Sequence, residues 1–300
     1  MSEARAQAPS KLLEFLELAT SHLESKGVDT PRLDAELLLA DVLGMARVEL
    51  YTNYDRPLER SEVDRFREVL RRRASREPVA YITGRKPFWT LDLIVDRRVL
   101  IPRPETETLV EVALDVLGER EFDEGNGPRV LDLCTGSGAV AIALARERAD
   151  VRVVATDCSA AALEIAPENA RLHGVDDRVS FAEGDLFAAL PAGQRFDLIV
   201  SNPPYIKSTE LGDTEPEVRE WEPELALVSG NDGMDVTARI IDGAADWIAP
   251  TGRLLLEVGT QADAVRQRLE ASGWTSIRTT RDLASRDRVV GATVPDSAVS

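Results

Sequence analysis

The sequence predicts an α/β fold, a mostly parallel sheet with helices on both faces, preceded by a small helical bundle and a β-hairpin connector. Three observations carry this. From Arg129 onward, short apolar runs of strand type alternate with helical stretches, as repeated strand–helix–strand units require. A glycine-rich turn, Cys134-Thr135-Gly136-Ser137-Gly138, joins the first of these strands to the first helix. Before about residue 85 the apolar spacing is helical. Three hundred residues favour two domains. The boundaries read as a helical domain over 1–85, a hairpin and proline-rich connector over 86–104, and the α/β domain over 105–300.

Taken in order, Leu12, Leu16, Ala19 and Leu23 line one face of a helix that ends at Gly27. Thr30-Pro31 supplies an N-cap and a first-turn proline for a second helix, Leu33 to Leu43, closed by Gly44. Val63, Phe66, Leu70 and Ala74 put an apolar stripe on a helix that is otherwise rich in arginine. Seven arginines (60, 65, 67, 71, 72, 73, 76) stand there against Glu62, Asp64 and Glu68. A solvated face is the plain reading of such a run, and docking of a partner is the sharper one.

Phe88-Trp89 and Leu91 to Val95 alternate like short strands around turn residues. Ile101-Pro102-Arg103-Pro104-Glu105 is a proline-stiffened strap, followed by a helix from about Thr106 to Leu117 and a loop at Gly125 to Pro128. The α/β part then runs strand Val130–Leu133, helix Ala139–Arg148, strand Val151–Thr156, helix Ser159–His173 and strands Val179–Ala182 and Phe196–Val200. Helix Val236–Ile248, strand Arg253–Val258, helix Ala262–Ser272 and two late strands complete it. Pro167 is expected to kink or break its helix.

Composition narrows the function. A formal charge of −17 argues against nucleic acid as the main partner. No run approaches 18 apolar residues, so no membrane span is expected, and Met1 to Lys11 lacks the apolar core of a secretory signal. Cys134 and Cys158 make no disulfide framework and fit a reducing cytoplasm. With His22 and His173 the only histidines, no dedicated metal site is expected.

Gly136, Gly138 and Ala141 satisfy G-x-G-x-x-[GA] between a strand and a helix, and Asp157 ends the next strand about 20 residues on. Glycine lets the backbone approach a ligand, and the carboxylate accepts from both hydroxyls of a ribose. A nucleoside-bearing cofactor follows, either a dinucleotide or S-adenosylmethionine. Gly184-Asp185-Leu186 offers a carboxylate and an apolar side chain at the same sheet edge, suited to the edge and face of an adenine. Asp132, Asp157 and Asp185 together suit a cationic sulfonium better than a pyrophosphate.

After the strand at 196–200 comes Asn202-Pro203-Pro204-Tyr205. Two prolines without N–H groups stiffen the backbone and leave carbonyls free to accept from a ligand. Asn202 Oδ1 and the Pro203 carbonyl suit a planar –NH2 group, each accepting one hydrogen, while the Tyr205 ring stacks on it. A dehydrogenase has no obvious use for this stretch.

The glycine loop, the acid after the second strand and Asn202 to Tyr205 resemble the Rossmann-like class I S-adenosylmethionine-dependent methyltransferases acting on –NH2 groups. Further stretches narrow the resemblance to the release factor glutamine methyltransferase (HemK or PrmC) family. They are Pro31 to Leu39, Tyr81-Ile82-Thr83-Gly84, Leu100 to Glu107, Glu215 to Arg219, Glu222 to Leu227 and Ser285 to Val290. Cys134 stands where that family most often has glycine.

The resemblance implies transfer of methyl from S-adenosylmethionine to the side-chain N5 of the glutamine in the Gly-Gly-Gln motif of bacterial peptide chain release factors. It places Cys134, Thr135, Gly136, Ser137, Gly138, Asp157, Asp185, Leu186 and Asn202 at the cofactor. Asn202, Pro203, Pro204, Tyr205 and Arg103 fall at the glutamine, with Asn202, Pro203 and Tyr205 carrying the reaction. The N-terminal bundle would help to hold the release factor. Two rivals share the architecture: a glutamine methyltransferase of a ribosomal protein, and an adenine-N6 methyltransferase of DNA, which the acidic chain disfavours.

Overall fold

The structure, a computed structural model, describes residues 11–119 and 127–294. It divides into two compact units, one ending at Gly84 and the other starting at Arg85. The first holds α1 (Leu12–Ser25), α2 (Pro31–Leu43), α3 (Arg47–Thr52), α4 (Arg60–Ala74) and α5 (Val79–Thr83). Leu12, Leu16, Ala19 and Leu23 of α1 are buried with Leu38 and Leu39 of α2 and Phe66 of α4 in one core cluster. Gly44 closes α2 in the left-handed region, at φ 64°. Thr30 occupies the N-cap position, but its hydroxyl donates to Asp34 Oδ1 at 2.9 Å instead of accepting from the backbone. Asp34 is drawn on because its other oxygen accepts from Arg73 Nε at 2.7 Å, both side chains being buried.

The arginine-rich stretch is thus part brace and part surface. Arg72 grips Glu77 with two bonds of 2.8 and 2.7 Å, and Arg76 bonds the Gly27 carbonyl. Arg67 and Arg60 make only exposed contacts with Asp64. α3, too short to show a period, escapes the sequence reading.

The second unit opens with a hairpin, β1 (Arg85–Phe88) and β2 (Leu91–Ile94), paired antiparallel. Trp89, expected in a strand, takes the turn at φ 54°. Asn169, wholly buried, clasps the hairpin through the Ile94 N–H and carbonyl, and its Nδ2 also reaches the Ser137 carbonyl at 2.9 Å. The hairpin is therefore fixed to the glycine loop within the second unit. α6 (Glu107–Gly118) follows a 3-10 turn at Pro104–Thr106. The expected loop at Gly125–Pro128 and the stretch Met1 to Lys11 lie in part outside the described residues.

Next come β3 (Arg129–Leu133), α7 (Ala139–Glu147), β4 (Arg152–Asp157), α8 (Ala162–Leu172), β5 (Val179–Glu183), β6 (Phe196–Ser201), α9 (Pro216–Arg219) and α10 (Asp235–Ala244). The unit ends with β7 (Ile248–Glu257), α11 (Ala262–Ala271), β8 (Thr275–Arg281) and β9 (Asp287–Thr293). Seven strands form one sheet in the order β5-β4-β3-β6-β7-β9-β8. All pairings from β5 to β7 are parallel, and β9 is antiparallel to both β7 and β8. The chain reverses its direction of travel across the sheet between β3 and β6, and a crevice opens at such a switch point. Leu131, Phe196, Ile199, Leu254 and Val290 of the strands pack with Ile240, Ile241, Val265 and Leu269 of α10 and α11.

Two expectations need correcting. Ile248 does not end a helix; it starts β7 opposite Phe196, and the register shifts before Leu198 meets Arg253. Pro250 and Thr251, the latter at φ 65°, sit in that irregular stretch. Of the kink or break expected at Pro167, the break does not occur, since α8 runs through it unbroken. Burial of Ala162, Ile165, Ala166, Asn169 and Ala170 along one face outweighs the lost bond and the ring clash, a cost of about 3 kcal/mol. Pro167→Ala is expected to stabilise the protein by a net of about 1–3 kcal/mol in urea unfolding, after the unfolded chain's gain in freedom is subtracted.

Candidate functional site

The carboxyl ends of β3, β4, β5 and β6 surround a cavity of about 450 Å³, a volume suited to a nucleoside-sized ligand. Cys134 to Ser137 line it after β3, Asp157 to Ser159 at the end of β4, Gly184 to Leu186 after β5, and Asn202 and Pro204 after β6. The strap contributes Val99, Leu100 and Pro102, and the segment before α10 contributes Pro223, Leu225 and Ala226. These last two walls are tied together. The Arg97 guanidinium lies 4.0 Å over the Trp221 ring, and Arg103 Nη2 donates to Glu222 Oε1 at 2.6 Å.

Gly138 begins α7 at φ 82°, and a Cβ there would lie 2.9 Å from Ile142 Cδ1 and 3.3 Å from Ala166 Cβ. It serves the turn and does not line the cavity. Cys134 adopts φ 60°, a left-handed conformation that glycine takes without strain. Burial pushes its thiol well above the ordinary range, with the Asp157 charge adding to this, so it is a packing group and not a nucleophile.

Asp157 Oδ2 accepts the Gly136 N–H and Oδ1 accepts the Ser159 N–H, each at 2.9 Å. Half of its acceptor capacity is left over for a ligand. Burial raises its pKa, and these backbone donors pull it back. Asp185 pairs with Arg239 Nη2 at 2.6 Å, and both line the cavity. Asp132 is 2 % exposed, and Thr135 Oγ1 donates to it at 2.6 Å. Burial pushes its carboxyl up to about 7, against the pull of the Thr135 hydrogen bond.

Asn202 lines the cavity and its Nδ2 donates to Thr106 Oγ1 at 3.2 Å, which leaves Oδ1 as the acceptor of the amide. Pro203 and Tyr205 do not line the cavity; they fall beyond Asn202 along the chain. The Tyr205 carbonyl accepts from Gln261 Nε2 at 2.6 Å, and its ring lies against Gly259. Burial raises the Tyr205 phenol pKa, so it stays protonated. Arg103, expected at a substrate, is spent on the buried Glu222 and is absent from the cavity wall. Sequence reasoning passed over Thr106, Arg239, Glu257 and Gly233. Two carried a signal: Thr106 falls in the family-like stretch Leu100 to Glu107, and Gly233 is a glycine in the turn Gly230-Asn231-Asp232-Gly233.

Gly233 stands at φ 77°, and a Cβ there would lie 2.4 Å from the Tyr205 carbonyl oxygen and 2.6 Å from Gln261 Nε2. It would wedge apart the bond that holds this backbone. Gly233→Ala is expected to destabilise the protein by about 2–4 kcal/mol in urea unfolding and to lower activity while cofactor affinity is kept.

Comparison with known proteins gives the family. Residues 14–84 match the model of the PrmC N-terminal domain, and residues 112–215 match the methyltransferase small domain. A release factor glutamine methyltransferase of Rhodopirellula baltica is 39% identical over 292 residues, covering 97% of this chain and 98% of its own. One from Xylella fastidiosa is 45% identical over 284 residues, covering 94% and 98%. The chain belongs to the release factor glutamine methyltransferase family. Among solved structures, the Thermus thermophilus 16S rRNA N2 G1207 methyltransferase in complex with AdoMet and guanosine matches 70% of this chain and 49% of its own. Its TM-score is 0.50 at 20% identity, a likeness of fold. The human Mettl16 catalytic domain matches 68% and 74%, with a TM-score of 0.53 at 14% identity. The family's helical N-terminal domain and its methyltransferase domain fall within the two units of the structure. No helix among the described residues is long and apolar enough to cross a membrane.

Proposed function

We propose that this protein methylates the side-chain N5 of the glutamine in the Gly-Gly-Gln motif of bacterial peptide chain release factors, with S-adenosylmethionine as the methyl donor. The observation that carries the reading is Asn202. Its amide nitrogen is anchored by Thr106 at the wall of a nucleoside-sized cavity, which leaves its oxygen as the acceptor. The names of the relatives support the substrate.

The residues fit the cofactor. Gly138 keeps the loop tight where a Cβ would collide, Asp157 retains acceptor capacity for a ribose, and Leu186 is apolar beside Asp185. Asp132, Asp157 and Asp185 line the space where a cation would sit. Cys134, Thr135, Gly136 and Ser137 would hold the rest. When bound, S-adenosylmethionine supplies a strongly electrophilic methyl group.

The protein's own task is positioning, because an amide nitrogen is a weak nucleophile whose lone pair is delocalised. Asn202 Oδ1 and the Pro203 carbonyl each accept one N–H of the glutamine amide. This fixes the plane of the nitrogen and makes it richer in electrons. Pro204 stiffens the backbone that carries both acceptors, and the Tyr205 ring packs on the flat amide. Arg103, through Glu222, holds the strap against the opposite wall. No strong base is required, since the nitrogen sheds its proton to water once it has been methylated.

Mass spectrometry of a bacterial release factor incubated with the protein and S-adenosylmethionine tests this. One added methyl on the Gly-Gly-Gln glutamine is expected. Cofactor binding without that methyl overturns the substrate, and a methyl on a ribosomal protein or on adenine in DNA would replace it.

A further inference from the structure

β6 and β7 run parallel, and their last registered pair is Ser201 with Leu256. One residue further on stand Asn202, just past the end of β6, and Glu257, the last residue of β7. Glu257 is 1 % exposed, and neither of its carboxyl oxygens has a hydrogen-bond partner among the described residues. Such a group is costly to bury and calls for an explanation. The Thr106 hydroxyl stands beside it, close enough to lower its pKa though outside ordinary hydrogen-bonding geometry. Thr106 is also the group that accepts from Asn202 Nδ2.

We propose that Glu257 is a positioning residue for methyl transfer, setting through Thr106 the direction of the hydrogen-bond chain that leaves Asn202 Oδ1 free to face the substrate amide. The inference rests on the reading of Asn202 given above. A hydroxyl has one hydrogen, and an ionised carboxylate only accepts. Were Thr106 to turn its hydrogen to Glu257, its oxygen would be left to accept, and Asn202 Nδ2 supplies that donor. Oδ1 is then turned outward. When the carboxyl is protonated it donates instead, and Thr106 is free to donate to Oδ1, which turns the wrong atom toward the substrate.

The charges around Glu257 come from several elements. Arg288 on β9 and Arg103 on the strap favour its ionised form, and Glu105 opposes it. Both arginines are engaged elsewhere, Arg288 with Asp282 and the Val258 carbonyl, and Arg103 with Glu222. Tyr205 feels the Glu257 charge from the loop after β6. Burial prevails and pushes the carboxyl up to about 7. The switch therefore falls in an accessible range.

The test is a pH profile of methyl transfer to a release factor at saturating cofactor, where effects on cofactor binding drop out. The wild-type rate is expected to fall about tenfold per pH unit below the inflection and to level off above it. Glu257→Gln should remove the inflection and slow the reaction about 10–100-fold at pH 8, with the cofactor Kd unchanged. Thr106→Val should behave alike, and Thr106→Ser, which keeps the hydroxyl, should restore most of the rate.

A merely structural role would look different. The raised carboxyl pKa costs stability increasingly as pH climbs from the ordinary carboxyl value through 7, so Glu257→Gln should melt no lower than wild type at pH 8 while being slower. A wild-type inflection surviving in Glu257→Gln, or full activity in Thr106→Val, overturns the proposal. The side-chain NH2 resonances of Asn202, identified by their absence in Asn202→Ala, give a readout independent of substrate. They should titrate in wild type and not in Glu257→Gln. Should the wild type methylate no release factor, the proposed function fails, and these resonances alone decide the positioning role.

Discussion

Asn202→Ala is expected to lower the rate of methyl transfer about 10²–10³-fold while leaving cofactor affinity within a factor of two or three, about the size of effect seen when one preorganised hydrogen-bonding group is removed from an active site. The asymmetry follows from where the side chain is tethered. Its Nδ2 is held by Thr106, not by the glycine loop or by Asp157, so removing it leaves the cofactor wall standing. The lost acceptor frees the glutamine amide to rotate, and rate then falls without much change in binding. Asn202→Asp separates orientation from shape. An aspartate keeps the acceptor but has no hydrogen for Thr106, so it too should be slow. Single-turnover rates beside calorimetric cofactor titrations check both, and an Asn202→Ala enzyme at near-normal rate with intact cofactor binding would sink the assignment.

The second large effect concerns Asp132. Burial holds its carboxyl up at about 7, so near neutrality it is only partly ionised. A cation bound beside it favours the ionised form, and binding must then release a proton. Cofactor affinity is expected to rise with pH through 7 and to fall by up to about tenfold per unit below it. Calorimetry in two buffers of different ionisation enthalpy reads the proton directly.

Asp132→Asn should abolish that proton release and weaken binding about 100-fold, since the carboxylate is buried and its attraction is poorly screened. The unliganded protein moves in the opposite direction. A carboxyl whose folded pKa lies above its unfolded value costs stability as pH rises from about 4 to 7. Asp132→Asn should therefore melt higher than wild type at pH 8 when no cofactor is present. A variant that binds as tightly as wild type at every pH would rule the residue out.

The strand–helix alternation was legible because period-2 and period-3.6 patterns report burial along one element at a time. The glycine loop was legible because tight turns and close approach need glycine at fixed spacing. Errors fell where those rules do not decide. Ile248 is apolar and buried, which suits a helix end and a strand start equally. Pro167 obeys a local rule that packing of α8 overrules. Thr106 lies 96 residues from the asparagine it holds, and its place in the stretch Leu100 to Glu107 does not say which side chain it meets.

By itself, then, the amino-acid order determined the class of fold, the cofactor loop and the presence of Asn202-Pro203-Pro204-Tyr205, because each is a property of contiguous residues. The tertiary structure alone decided what holds Asn202 and which of its atoms is tethered. Only the parallel pairing of β6 with β7, and the 3-10 turn that leads into α6, bring Thr106 to that amide and Glu257 beside Thr106. Register between distant strands is set by the packing of the whole sheet, and no single segment contains it.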